Sequence, residues 1–127
     1  MTRTASHAIV LLAHGSRDPL WHKPLHAVAA HIAAASPDTM VACAYLELSS
    51  PDLPGSVQTL VDAGIQAIAI VPMFLGVGKH AREDIPVLVD ALRQRHPQTQ
   101  FHLRPAVGED HRLVRLLAEI ALETANP

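Results

Sequence analysis

Two histidines, each placed after an apolar run, are the residues best suited to chemistry in this chain. His14 directly follows the run at 8–13, and His80 follows the run at 67–71 after a loop that contains two glycines. In an open parallel sheet, ligands bind just outside the carboxyl ends of the strands. Neutral imidazole ligates Co²⁺, Ni²⁺, Fe²⁺ and Zn²⁺, and its pKa of about 6.5 makes it a base at neutral pH. The pair therefore predicts metal chemistry or proton transfer at one crevice.

Charged side chains accompany these predicted strand ends. Glu47 stands at the end of the apolar run at 39–46, and the basic residues Arg17, Lys79 and Arg82 flank the two histidines. Helices are expected to begin after the histidine loops, and the N–H groups and dipole of a helix start favour anions. Together these features indicate an anionic ligand that meets the histidines.

Apolar patterning predicts four strands that alternate with four helices. Apolar runs at 8–13, 39–46 and 66–71 indicate strands, and the alternating run at 98–103 favours an edge strand. The apolar residues at helical spacing are Trp21, Leu25, Val28, Ala29 and Ile32, then Val57, Leu60 and Val61, then Ile85, Leu88, Val89 and Leu92, and finally Leu113, Leu116, Leu117 and Ile120 in a helix at 109–124. This order predicts an α/β fold, a three-layer sandwich around a four-stranded parallel sheet with right-handed crossovers.

Bulk composition excludes several classes of protein. The 127 residues suffice for one domain, expected to span 1–127, and 49% hydrophobic with 17% charged residues is typical of a globular protein. The net charge of −2 gives no reason to expect a nucleic acid or a membrane surface as partner. The single cysteine, Cys43, excludes thiolate zinc sites and iron–sulfur clusters within one chain, and a buried, small apolar role is expected for it. No targeting segment or membrane span is recognised, so the cytoplasm is the expected location.

Two alternative interpretations of the histidine loops are weaker. Residues 76–79 invite a phosphate-loop interpretation, but a Walker A motif needs glycine where Met73 stands and serine or threonine where His80 stands. The glycines are better explained by a backbone that passes close to a flat ligand. The segment around His14 also resembles the Arg-His-Gly opening of histidine phosphatases, but Ala13 replaces the arginine that would bind phosphate.

A second pair of histidines lies on the first predicted helix. His22 and His26 are four residues apart and therefore share one face of that helix. Such a pair can chelate a metal ion at the helix surface. A solvated helix face is the simpler interpretation, and the sequence favours it.

Three stretches of the chain resemble one known family. They are Ala-His-Gly-Ser-Arg at 13–17, Tyr-Leu-Glu at 45–47 with Ser-Pro at 50–51, and Pro-Met-Phe-Leu-Gly-Val-Gly-Lys-His-Ala-Arg-Glu-Asp-Ile-Pro at 72–86. These motifs are similar to those of the small, single-domain sirohydrochlorin chelatases of class II. The resemblance implies a chelatase-like, flavodoxin-like topology. It also implies insertion of a divalent metal into sirohydrochlorin without ATP, on the route to cobalamin or sirohaem.

The same resemblance implies roles for individual residues. His14 and His80 would bind the metal, and His14 would also accept a pyrrole proton. Glu47 and the loop from 75 to 80 would line the macrocycle, while Arg17, Lys79 and Arg82 would meet its carboxylates. The loop residues are Leu75, Gly76, Val77, Gly78, Lys79 and His80.

The resemblance also sets expectations about ligands and assembly. The metal is a substrate, with Co²⁺ expected first, Fe²⁺ next and Ni²⁺ also compatible with imidazole. No organic cofactor is expected. Longer relatives repeat the unit within one chain, so a homodimer with facing crevices is expected. A non-catalytic carrier of metal or tetrapyrrole, with the same fold, is the alternative function.

Overall fold

The computed structural model describes residues 6–125, which form alternating strands and helices. The strands are β1 (His7–Ala13), β2 (Thr39–Tyr45), β3 (Ala67–Pro72) and β4 (Gln100–Leu103); the α-helices are α1 (Lys23–Ala35), α2 (Leu53–Asp62), α3 (Lys79–Arg95) and α4 (His111–Ala125). Short 3₁₀ turns at Pro19–His22 and Val107–Glu109 precede α1 and α4. The predicted alternation is confirmed. The first five residues, on which the expectation of no targeting segment partly rests, lie outside the described residues.

All four strands are parallel and lie in the order β2-β1-β3-β4. Leu12 of β1 pairs with Ala44 on one side and with Pro72 on the other. β4 pairs only with β3, which confirms the predicted edge position. The connection from β1 leads to β2 on one side of it, and the next connection leads from β2 to β3 on the other side of β1. The strand order therefore reverses between β1 and β3. This is the switch point at which flavodoxin-like sheets hold their ligands.

Two cores lie on opposite faces of the sheet because side chains alternate along each strand. Val10 and Leu12 face the larger core, whereas Leu11 and Ala13 face the smaller one. The larger core takes the buried apolar residues of α2 and α3, namely Leu53, Val57, Leu60, Ile85, Val89 and Leu92. The smaller core takes Leu25, Val28, Ala29 and Ile32 of α1. The three-layer arrangement is therefore confirmed, and it holds the carboxyl ends of β1 and β3 rigidly side by side.

Helix α4 has the predicted apolar stripe, but the chain does not cover it. None of the residues from 111 to 124 is buried, and Leu116 and Ile120 are each 51% exposed. The helix start is well formed, since Asp110 accepts hydrogen bonds from the backbone N–H and the guanidinium of Arg112. These bonds hold the pKa of the Asp110 carboxyl well below its usual range. Within the described residues, no helix is both long enough and apolar enough to cross a membrane.

Candidate functional site

His14 lies at the carboxyl end of β1, directly after the buried Ala13. Its side chain is exposed to solvent on one side and stacks on the ring of Phe74, with ring centroids 4.3 Å apart and an interplanar angle of 28°. Phe74 is itself 4% exposed and belongs to the larger core. A buried aromatic ring of this kind cannot shift without disturbing the core, so it fixes the plane of the imidazole. No pattern in the sequence predicted this role for Phe74.

The loop after β3 is tied to the structure on two sides. The Met73 N–H donates to the carbonyl oxygen of Leu12 (2.8 Å), which extends the pairing of β3 with β1. The Gly108 N–H donates to the carbonyl oxygen of Phe74 (2.9 Å). A Cβ at Gly108 would lie 1.7 Å from the carbonyl oxygen of Leu75, so only glycine fits there. No local pattern in the sequence marks Gly108, because its contact is with a loop more than thirty residues away.

His80 is the second residue of α3, which begins after Gly78. The Arg82 N–H donates to the carbonyl oxygen of Gly78 (3.0 Å) and closes the first turn. His80, Lys79 and Arg82 are all exposed. The structure therefore brings His80 and His14 to loops that follow two adjacent strands, β3 and β1. Both loops follow the carboxyl ends of parallel strands, as predicted, and these two strands flank the switch point of the sheet.

Glu47 lies two residues beyond the end of β2, on a loop that is hydrogen-bonded to the loop of His14. Its N–H donates to the carbonyl oxygen of His14 (2.9 Å), and the Leu46 N–H donates to that of Ala13 (2.9 Å). Gly15 has φ 108°, and a Cβ there would lie 1.7 Å from the Glu47 carbonyl oxygen. The main chains of the two loops therefore meet in van der Waals contact, with the exposed Glu47 side chain beside the His14 loop.

The remaining predicted residues lie around this edge of the sheet. Arg17 is exposed on the loop after β1, and Leu75 is 68% exposed on the loop after β3. Val77 packs against the larger core and so anchors the middle of that loop. A Cβ at Gly76 or Gly78 would meet no atom within 4 Å. The chain itself therefore does not require glycine at these two positions, and the space beside them is open to a ligand.

His22 and His26 each lie near a side chain of the protein, so they do not form the purely solvated helix face that the sequence favoured. The His22 Nε2 lies 3.0 Å from the Ser49 Oγ, and the His26 Nε2 lies 3.4 Å from the Tyr45 hydroxyl oxygen. Among residues 6–125, no group of three or more His, Cys, Asp or Glu side chains could hold a metal ion. Cys43 is half-buried, and burial raises the pKa of its thiol, in agreement with an apolar role.

The family model of CbiX matches residues 8–124, which run from β1 through nearly all of α4 and include every site residue described above. The chain belongs to the CbiX family. The predicted resemblance to the sirohydrochlorin chelatases is thereby confirmed at the level of the family, and the fold agrees with it.

Relatives with the CbiX fold or sequence support the same conclusion. The chain is 35% identical to a sirohydrochlorin ferrochelatase of Priestia megaterium over 80 residues, 63% of this chain and 30% of that protein. It is 33% identical to a sirohydrochlorin cobaltochelatase of Methanococcus maripaludis over 82 residues, 65% of this chain and 57% of that protein. A solved structure from Marinobacter aquaeolei VT8, a CbiX protein assigned to cobalamin (vitamin B12) biosynthesis, superposes with a TM-score of 0.81 at 31% identity, covering 94% of this chain and 97% of the other. The alignments thus span only part of the length of these two curated relatives.

Proposed function

We propose that this CbiX-family protein is a sirohydrochlorin metallochelatase, which inserts a divalent metal into the macrocycle without ATP. The observation that carries the proposal is the placement of His14, stacked on the buried Phe74 at the end of β1, beside the loop that leads to His80. The names of the two curated relatives, a ferrochelatase and a cobaltochelatase that act on sirohydrochlorin, support the same reaction.

His14 and His80 are the proposed metal ligands. Two imidazoles bind Co²⁺ or Fe²⁺ and leave the other coordination positions free for the ring nitrogens. Insertion forms four metal–nitrogen bonds and releases two pyrrole protons, so a base must lie close by. As the metal leaves the His14 nitrogen for the macrocycle, that nitrogen's electron pair becomes free to accept one pyrrole proton. The second proton passes to solvent, which reaches the exposed site. The His14 nitrogen thus gives the metal to the macrocycle and takes a proton from it, which couples the two transfers.

The macrocycle is proposed to lie between Glu47 and the loop at 75–80. The exposed Leu75 offers an apolar surface, and the open space at Gly76 and Gly78 lets a flat ring approach the backbone. Arg17 and Lys79, both exposed, pair with the carboxylates of the substrate despite the chain's net charge of −2. No organic cofactor takes part in this proposal.

Turnover with each metal tests this function directly. The purified protein is incubated anaerobically with sirohydrochlorin and with Co²⁺, Fe²⁺ or Ni²⁺ in separate reactions, and absorbance is followed against protein-free controls. We expect many turnovers, with Co²⁺ fastest and Fe²⁺ next. One equivalent of bound ligand without turnover would instead support the carrier, and rates equal to the controls with every metal would reject the enzyme.

A homodimer is the proposed assembly, and the uncovered stripe of α4 supports it. Leu113, Leu116, Leu117 and Ile120 lie at helical spacing along one side of α4, and no other part of the described chain buries them. An open cavity of about 740 Å³ lies between α4 and the end of β3; seven of its lining residues are apolar, among them Val71, Met73, Leu113 and Leu116, and four are charged, namely Arg104, Glu109, Asp110 and Arg112. In a twofold dimer, the stripe and the cavity of one chain can be buried by the same two features of a second copy.

The cytoplasmic location of the protein stays a prediction.

One substitution on each side of α4 tests this assembly. Ile120→Glu places a charge in the stripe and is expected to convert a dimer into a monomer at micromolar concentration, because an unpaired charge is costly in an apolar interface. Ala118→Glu adds the same residue to the opposite side of the helix and should leave the dimer intact. Light scattering after size-exclusion chromatography measures both masses. A monomeric unsubstituted protein would contradict the proposal.

A further inference from the structure

Ser49 lies at the centre of a link between the loops that follow β1 and β2. Its Oγ donates a hydrogen bond to the Ser16 carbonyl oxygen (2.7 Å) and accepts one from the Ser16 N–H (2.9 Å). The His22 Nε2 lies 3.0 Å from the same oxygen. The single hydroxyl hydrogen of Ser49 is directed to Ser16, so the hydrogen between Ser49 and His22 must come from the imidazole. His22 therefore carries its hydrogen on Nε2 and donates it to Ser49.

This link joins the chain close to two of the proposed site residues. Ser16 lies two residues after His14, and Ser49 lies two residues after Glu47. Between the two pairs, the Glu47 N–H donates to the carbonyl oxygen of His14. A shift of Ser49 away from Ser16 would therefore also move His14 and Glu47, since each lies only two residues from one of these serines.

The turn that carries Glu47 needs such support. Leu48 has φ 63°, a conformation that residues other than glycine adopt rarely and at a cost. Its side chain is 57% exposed, so packing contributes little to holding it. Ser49 is the next residue, and its hydrogen bonds hold the turn at the end away from Glu47.

The imidazole of His22 is itself held in place by its surroundings. Its ring lies 4.8 Å, centroid to centroid, from that of Tyr45, which is 2% exposed at the end of β2. His22 is half-buried and closes the 3₁₀ turn that precedes α1. Because the His22 imidazole is already oriented before a ligand binds, no binding energy is lost in ordering it.

We propose that His22, acting through Ser49, is a positioning residue that holds His14 and Glu47 in the arrangement required for metal insertion. The catalytic part of this inference rests on the proposed chelatase function. The link between the loops is a property of the fold and does not depend on that function. A role for His22 as one half of a chelating pair with His26 is the competing interpretation, and the variants below separate the two.

Kinetics of four variants test the role of the donor. His22→Ala is expected to lower kcat/KM for Co²⁺ insertion about tenfold, the scale of one lost hydrogen bond. His22→Gln, whose side-chain amide can supply an N–H at a similar reach, should recover at least half of the activity. Ser49→Ala also removes both hydrogen bonds to Ser16, so it should lose at least as much activity as His22→Ala. The double variant should be no worse than Ser49→Ala, because His22 acts through Ser49.

His26→Ala is the matched control, since it removes a histidine one helical turn further along the same face. The His26 ring lies 5.9 Å from that of His22 and near the Tyr45 hydroxyl, but His26 Nε2 is paired with Tyr45 and not with Ser49. His26→Ala leaves the bond from His22 to Ser49 in place, so its loss of activity should be much smaller than that of His22→Ala. If His26→Ala lost as much activity as His22→Ala, a chelating pair would replace the positioning role. If His22→Gln were as impaired as His22→Ala, the donor would have no part in it.

Amide hydrogen exchange provides a readout that needs no turnover. The Ser16 and Glu47 amides should exchange about tenfold faster in His22→Ala and at the original rate in His22→Gln. Unchanged exchange in His22→Ala would overturn the proposal even if activity fell. An absence of turnover in the unsubstituted protein would reject the chelatase function alone, because the exchange rates would still decide the link.

Discussion

Replacing either His14 or His80 by alanine is expected to reduce the rate of metal insertion at least about 100-fold, the lower range for loss of a positioned base or ligand. The reason is chemical. Each imidazole is proposed to hold the metal, and no third metal-binding side chain lies in a group with them among residues 6–125. Initial rates of anaerobic Co²⁺ insertion into sirohydrochlorin measure the loss.

The fold should survive both substitutions. His80 is exposed at the start of α3, so His80→Ala should change the free energy of unfolding by no more than about 0.5 kcal/mol. His14→Ala also loses the stacking on Phe74, worth about 0.5–1.5 kcal/mol. His31→Ala, an exposed histidine in the middle of α1, is the control and should retain full activity. Full activity of either site variant would remove that histidine from the mechanism.

Replacing Gly15 by alanine is expected to destabilise the protein by about 3 kcal/mol or more, a large share of the stability of a small domain. The added Cβ would lie 1.7 Å from the Glu47 carbonyl oxygen, and φ 108° is unfavourable for alanine. Relief of this contact requires the two loops to separate, which breaks the Glu47–His14 hydrogen bond. Urea denaturation of the purified variant measures the change.

Gly78→Ala is the matched control for this prediction. Gly78 has φ −65°, and a Cβ there would meet no atom of the chain within 4 Å, so the free energy of unfolding should change by less than about 1 kcal/mol. If a flat macrocycle passes close to this backbone, the same variant should raise KM for sirohydrochlorin while its fold is intact. A Gly15→Ala protein as stable as Gly78→Ala would show that the two loops are not in fixed contact.

Apolar patterning in the sequence predicted the elements of this fold because it reports which residues of each strand or helix must leave water. Largely apolar runs marked β1, β2 and β3, and spacing of three and four marked the buried faces of α1, α2 and α3. The parallel sheet followed from the alternation of strands with helices. Placement of His14 and His80 beyond strand ends followed in turn, since His14 directly follows one run and His80 follows another after a single loop.

The stripe of α4 shows the limit of such patterning. The same spacing that marks a buried helix face in α1 marks a face in α4 that the chain leaves exposed. Periodicity shows which side of a helix is apolar. Whether that side of α4 packs on the core of its own chain or faces another surface depends on the direction that the helix takes after Asp110.

Contacts between segments far apart in the chain could not be predicted from local patterns and are seen only in the folded protein. The stacking of His14 on Phe74, the need for glycine at 15 and 108, and the bond from His22 to Ser49 all join residues separated by at least 27 positions or by a whole helix and strand. The contacts of His14, Gly15 and His22 depend on the position of β1 between β2 and β3, whereas that of Gly108 depends on β4 lying beside β3. Local patterns and motifs therefore predict the elements, the family and the histidines that could bind metal. The packing of distant segments decided how those histidines are held, because no local pattern encodes the distance between two loops.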